Sequence, residues 1–173
     1  MPTDQITLQR IQILHPKVIS EVTQIYNEIV TQLTGKAICR FSYTLRTYTE
    51  QNALYAKGRT APGPIVTHAR GGRSYHNFGL AFDIVLLKDT NGDGTFETAS
   101  WETNIDFDKD GKPDWREVVT IAKAFGWEWG GDWAGFKDLP HFQRTFGHST
   151  IELDQMVQSN RIITVNGNKF PNI

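Results

Sequence analysis

The chain has 173 residues, the size of one domain, with 39% hydrophobic and 12% aromatic residues, enough for a real core. Eighteen Lys and Arg against nineteen Asp and Glu leave a formal net charge of −1, so no basic field points to nucleic acid or to an anionic membrane. No run is long and apolar enough to span a membrane, and the single cysteine, Cys39, excludes an internal disulfide.

The first residues, Met1 to Gln5, lack the basic and apolar regions of a signal peptide. The expectation is a protein that stays in the cytoplasm until something releases it to its site of action, or one exported by another route. Residues 7–33 read as helical, with Leu8, Ile11 and Leu14 on one face, an interruption at Pro16, and Val22, Ile25, Tyr26 and Ile29 in register beyond it. Gly35 ends that run. Residues 37–44 read as a strand containing Cys39, either a buried thiol or, as the sharper alternative, a nucleophile paired with a histidine. A short helix is expected over 49–57, with Thr49 as N-cap and Gly58 as its stop.

A loop rich in Pro and Gly spans 60–72. After it comes Ser74-Tyr75-His76-Asn77-Phe78-Gly79-Leu80-Ala81-Phe82-Asp83-Ile84-Val85-Leu86-Leu87. The alternation predicts a strand with Phe82, Ile84 and Leu86 on one face and Ala81, Asp83 and Val85 on the other. A carboxylate within so apolar a run is costly unless something pairs with it. Gly79 lets the chain turn and bring the His76 imidazole back toward Asp83. Residues 88–114 hold most of the turn residues. A helix over 115–125 stops at Gly126, and a glycine-rich segment leads to a strand at 140–143. A helix over 150–160 and a terminal strand over 162–165 complete the chain. Helices and short strands without a βαβ rhythm predict an α+β fold.

The chemistry concentrates in two segments. His76 and Asp83 come from the first, and Asp138-Leu139-Pro140-His141-Phe142 supplies the rest. Catalytic zinc commonly takes three protein ligands and keeps a position for water, which it acidifies. His76, Asp83 and His141 are the candidate ligands. Asp138 is the candidate general base, taking a proton from water and delivering it to a leaving amine. Pro140 disfavours a helical Leu139, so Asp138 can face the site without ligating the metal. Trp127, Trp129 and Trp133 are either core or a wall of the substrate cleft. His15, His68 and His148 are left as structural or exposed histidines.

The pattern Ser74-x-His76-x-x-Gly79-x-Ala81-x-Asp83 with Asp138-x-x-His141 resembles the zinc peptidases of the D-alanyl-D-alanine carboxypeptidase and dipeptidase group, whose fold is shared with the Hedgehog signalling domain. Within that group it is most similar to the L-alanyl-D-glutamate endopeptidases of phage endolysins and bacterial wall hydrolases. The segments Tyr55-Ala56-Lys57-Gly58-Arg59-Thr60, Pro62-Gly63, Val66-Thr67 and Trp129-Gly130-Gly131-Asp132-Trp133 add to the likeness, which covers roughly residues 8–150. D,D-acting relatives more often carry glutamate where this chain has Asp138, which favours the endopeptidase branch. The resemblance implies a small antiparallel sheet packed with helices, and a zinc-dependent cut of the peptidoglycan stem peptide between L-alanine and D-glutamate. It also implies a role for Arg46 on the substrate carbonyl or carboxylate, where a fixed guanidinium stabilises an oxyanion. Gln51 and Ser74 are weaker substrate-binding candidates. A D,D-carboxypeptidase or dipeptidase, and a non-catalytic zinc-stabilised binding module of Hedgehog type, are the competing readings. The expected organisation is one catalytic domain over 1–173, acting as a monomer without a separate wall-binding domain.

A second metal is suggested by Asp106-Phe107-Asp108-Lys109-Asp110-Gly111, with Asp114 and Glu117 beyond. Acids fall at loop positions 1, 3, 5, 9 and 12 of an EF-hand pattern, with glycine at 6 and Glu117 as the bidentate ligand. Pro113 at position 8 departs from the pattern. Asp89-Thr90-Asn91-Gly92-Asp93-Gly94 begins a similar one but has Ser100 at position 12.

Overall fold

The structure, a computed structural model, describes residues 3–173. Helix α1 (Gln5–Ile11) is capped by Asp4, whose carboxylate accepts from the Thr7 amide at 3.0 Å and pairs with Arg40 at 2.8 Å. That cap therefore also ties α1 to strand β1 (Ala37–Tyr43). Pro16 opens helix α2 (Pro16–Gln32) at its first position, where the missing amide hydrogen costs nothing. The interruption read at Pro16 is thus a boundary between two helices. Val18, Val22, Ile25, Tyr26 and Ile29 are the buried face of α2.

Five strands form an antiparallel sheet in the order β1, β2 (Ala81–Lys88), β5 (His141–Gln143), β4 (Glu128–Trp129), with β3 (Thr98–Ser100) also paired to β2. The central strand β2 pairs Phe82 with Phe142 and Asp83 with His141 on one side, and Phe41 with Ile84 on the other. Phe82, Ile84 and Leu86 are fully buried, as the alternation predicts. Phe82 stacks on Phe41 at 4.4 Å and on Phe142 at 5.2 Å, with Trp127 at 4.8 Å. Burying one such ring contributes roughly 1.5–3 kcal/mol, and each ring also pins a different strand. Helix α4 (Asp114–Ala124) adds Trp115, Val118 and Ala122 to the same core.

Helix α3 (Tyr48–Ala56) begins one residue earlier than expected. Its cap is Thr47, not Thr49: the Thr47 hydroxyl accepts from the Glu50 amide, and the Glu50 carboxylate accepts from the Thr47 amide at 2.7 Å. The reciprocal Thr-x-x-Glu pairing is worth more than a lone hydroxyl cap. Helix α5 (Thr150–Gln158) has the same box, from Ser149 and Glu152. The last two strands, β6 (Ile162–Val165) and β7 (Asn168–Pro171), form a separate hairpin. Its turn, Asn166-Gly167, has positive φ at both residues, the geometry that matches strand twist.

Gly79 follows the 3-10 turn Tyr75–Phe78 in the left-handed conformation, with φ +66°. A side chain there would meet the His15 backbone nitrogen at 2.6 Å and the Phe170 ring at 2.9 Å. Gly79→Ala is expected to destabilise the fold by more than about 1 kcal/mol, lowering the melting temperature by at least ~2–4 °C. An unchanged melt would show that the turn relaxes without strain.

Candidate active site

The turn after Ser74, the strand β2 and the short strand β5 deliver three side chains to one point. His76 Nε2, Asp83 Oδ1 and His141 Nδ1 form a triangle with every side 3.1 Å. The far nitrogen of each ring shows what the near one carries. His76 Nδ1 lies 2.7 Å from the Thr44 carbonyl, which only accepts, so Nδ1 holds the proton and Nε2 presents a lone pair. His141 Nε2 lies 3.0 Å from Gln143 Oε1, while the Gln143 amide group donates to Glu128 at 2.8 Å. His141 therefore presents its Nδ1 lone pair.

Three lone pairs converging at 3.1 Å repel unless a cation sits among them. A tetrahedral ion with bonds of ~2.0–2.1 Å separates its ligands by about 3.3 Å. The two imidazoles and the carboxylate therefore fit a metal in both spacing and donor type. A proton is the other cation that fits, and the titration directions agree. Burial alone would raise the Asp83 carboxyl, but the neighbouring His76 and His141 hold it well below the usual carboxylate range. Burial alone would lower His141, but its bond to Asp83 lifts it above an ordinary histidine.

The centre lies in a cleft of about 630 Å³ that also contains Asp138, Arg46 and Ser74. Burial raises the half-buried Asp138 carboxyl, and the charge on Asp83 adds to the effect. Asp138 reaches this position because the chain folds back over Gly130, whose carbonyl accepts from the Asp138 amide at 3.2 Å. A Cβ on Gly130 would sit 2.4 Å from the Asp138 carbonyl oxygen, so only glycine permits the approach. Arg46 is buried, with its Nη2 3.6 Å from Asp83 Oδ2 and its guanidinium 4.5 Å over the Tyr43 ring. A register shift between Phe41 and Tyr43, opposite Asp83, turns this end of β1 toward the cleft.

Gln51 is placed differently from expectation. It is fully buried and does not line the cleft. Its Oε1 accepts from Arg46 Nη1 at 2.9 Å and its amide group donates to the Ala69 carbonyl at 2.8 Å. It orients Arg46 and has no free group for substrate. Cys39 is buried too, and burial pushes its thiol far up, which removes the nucleophile alternative. Trp127 and Trp129 are core, whereas Trp133 lines the cleft with its ring 5.3 Å from His141.

Several residues of the site were not anticipated. Gln143 and Glu128 hold His141, and the signal was present in the alternation of His141-Phe142-Gln143, which puts 141 and 143 on one face. His68 lines the cleft and meets Phe136 edge-on at 5.6 Å. Phe136 is 59% exposed and Trp101 58% exposed, both on the cleft wall. Large aromatics left in water around a concavity mark a binding surface.

The acidic loops are partly as expected. Carboxylates of Asp106, Asp108 and Asp114 gather within 4.8 Å of one another. Asp110 is outside that group, accepting from the Lys112 amide at 2.8 Å. Glu117 is outside it as well: its Oε1 accepts from Gln32 at 2.7 Å, because the start of α4 packs beside the end of α2. In the other loop the third acid beside Asp89 and Asp93 is Glu97, and Ser100 is instead buried in β3 opposite Leu86.

Comparisons with known proteins agree with this geometry. Residues 67–144, which contain all three clustered side chains and Asp138, match the peptidase family described as D-alanyl-D-alanine carboxypeptidase. The chain is similar to the peptidoglycan L-alanyl-D-glutamate endopeptidase CwlK of Bacillus subtilis (strain 168), with 53% identity over 98 residues, 57% of this chain and 55% of that protein. It is also similar to the L-alanyl-D-glutamate peptidase of Listeria phage A118, with 40% identity over 79 residues, 45% of this chain and 24% of that protein. This chain thus spans about half or less of the length of these relatives. The fold is that of the Serratia marcescens L-Ala D-Glu endopeptidase ChiX, with a TM-score of 0.52 and 21% identity over 82% of this chain and 88% of that one. The resemblance carried by the motif is therefore real, and the α+β fold it implied is the one observed.

Gln143→Leu removes the acceptor that fixes the His141 tautomer. It is expected to weaken metal retention by roughly 10–100-fold while leaving the fold intact. Competition with a chromophoric chelator measures this, and unchanged affinity would show that β5 alone orients the ring.

Proposed function

We propose that this chain is a zinc-dependent peptidoglycan hydrolase that cuts the stem peptide between L-alanine and D-glutamate. The observation that carries the reading is the convergence of two imidazole nitrogens and a carboxylate beside a half-buried acid, within an aromatic-walled cleft. The names of the two curated relatives supply the substrate class and the bond. Catalysis is assigned to a single domain acting as a monomer on the cell wall, reached by release from the cytoplasm or by export. Among the described residues no helix is long and apolar enough to cross a membrane.

His76, Asp83 and His141 would hold the zinc, which when bound acidifies water and polarises a carbonyl. Asp138 takes the proton of the attacking water and passes it to the leaving amine. Its environment suits this work, because a raised carboxyl pKa brings the group nearer the pH at which it must both accept and donate. Arg46, held in place by Gln51, presents a fixed positive charge beside the centre, where it stabilises the oxyanion or binds the glutamate carboxylate. Trp133 and Phe136, on the cleft wall, offer apolar surface for the peptide that flanks the reacting bond.

The direct test is mass spectrometry of peptidoglycan digested by the purified protein. Fragments with a new glutamate N-terminus support the reading, whereas release of terminal D-alanine alone would move the chain to the D,D-carboxypeptidases. Asp138→Ala is expected to retain zinc and lose about 10²–10⁴-fold in kcat. Near wild-type turnover would remove Asp138 from the role of base. Arg46→Ala is expected to lower kcat/KM with little change in melting temperature, and the reverse pattern would make Arg46 a packing residue.

A further inference from the structure

We propose that the exposed indole of Trp101 is a sugar-stacking subsite, which seats the glycan residue that carries the stem peptide. The inference rests on the peptidase reading and adds a part of the substrate which that reading leaves open. Trp101 lines the cleft and is 58% exposed. Its place follows from the sheet. Strand β3 pairs Ser100 with Leu86, and both are buried. Continuing that register by one residue sets Trp101 beside Val85. Its side chain then points to the opposite face of the sheet, the face that carries Asp83.

The two ends of the cleft differ in chemistry. Strands β1 and β3 both pair with Leu86 to Lys88 of β2, so they occupy opposite edges of that strand. Tyr43 lies opposite Asp83 on the β1 side, with the Arg46 guanidinium over its ring. Trp101 lies on the other side. Val85 is two residues beyond Asp83, about 7 Å along the strand, and β3 lies one strand spacing, about 5 Å, to the side. The backbone of Trp101 is therefore roughly 8 Å from that of Asp83, on the edge away from Arg46.

The substrate has the same asymmetry. On the amine side of the cut, D-glutamate keeps one carboxyl that does not continue the chain, and Arg46 offers it a positive charge. On the carbonyl side come only alanine, a lactyl link and then the sugar. An alanine methyl group cannot cover an indole, and the sugar is the first group large enough to do so. Alanine and the lactyl unit each span about one residue length, which puts the sugar roughly 7 Å beyond the scissile carbonyl. That reach matches the offset of Trp101. The chemistry fits as well: the negative face of an aromatic ring attracts the polarised C–H groups of a pyranose, while the hydroxyls at its edge stay in water. Phe136 is as exposed, but its ring already meets His68 edge-on.

The experiment compares two soluble substrates of the zinc-loaded full chain: a stem tetrapeptide carrying its N-acetylmuramic acid, and the same tetrapeptide capped by lactate alone. The wild type is expected to favour the sugar-bearing substrate by roughly 10-fold in kcat/KM. Trp101→Ala is expected to bring that ratio close to one. Trp101→Phe should keep most of it, since a flat ring remains. A second readout needs no turnover: the indole Nε1–H resonance of Trp101, identified by its loss in Trp101→Phe, is expected to shift when millimolar N-acetylmuramic acid is added. A wild-type ratio near one, a ratio that survives Trp101→Ala, or an indole resonance untouched by the sugar overturns the subsite. Failure of the peptidase reading has a different signature, in which neither substrate is cut between alanine and glutamate. The sugar titration then decides the subsite by itself, a shift supporting it and no shift overturning it.

Discussion

The structure depends on an arrangement that is unfavourable by itself: three electron pairs pointed at one another across 3.1 Å. Each ring could relieve the repulsion by turning, and each is prevented by a hydrogen bond on its far side. For His76 the restraint is the Thr44 carbonyl, fixed by the backbone at the end of β1. For His141 it is a chain through Gln143 to Glu128 that runs across two strands. Folding free energy thus holds three donor atoms at the spacing a tetrahedral cation would take, which is preorganisation in physical terms.

The sheet supplies that energy from its opposite face. Phe41, Phe82 and Phe142 stack across three strands and lock the register that places Asp83 directly opposite His141. A slip of one residue in β2 would turn Asp83 into the core and a phenylalanine into the cleft, so core and site specify the same register. The site's less regular parts follow the same logic. The register shift in β1 leaves the backbone near Tyr43 and Thr44 free to face His76 and Arg46, and Gly79 and Gly130 allow approaches that no side chain permits.

Much of this was legible in the sequence because its signals were local and redundant. The burial of alternate residues in β2, the need for a partner to Asp83 and the turn at Gly79 all concern adjacent residues. The metal-ligand motif adds chemistry to the same few positions, and its likeness to a peptidase family carried the fold. What was missed depended on distance or on competition. Thr49 reads as the cap from the sequence, but Thr47 takes the role because Glu50, three residues on, completes a capping box with it. Strands β3 and β4 have three and two residues, too short for any period, and exist because longer strands lie beside them. Gln51 carries a polar side chain that reads as a ligand-binder. Only its burial and its bond to Arg46 reveal a supporting part.

The same physics distinguishes the cleft cluster from the acidic loop before α4 by donor type. The cleft offers two imidazole nitrogens and one carboxylate in a tight triangle, which suits a small borderline ion at four-coordinate distances. The loop before α4 brings together only carboxylates, those of Asp106, Asp108 and Asp114, a harder donor set than the imidazoles of the cleft. Both regions also lean on α4 and its neighbours: Trp115 anchors the helix in the core, and Trp129, after its end, donates to the Leu139 carbonyl at 2.7 Å, between Asp138 and His141. The segment that bears the acid and the last histidine is therefore held from behind by Trp129 of β4, the strand against which α4 packs.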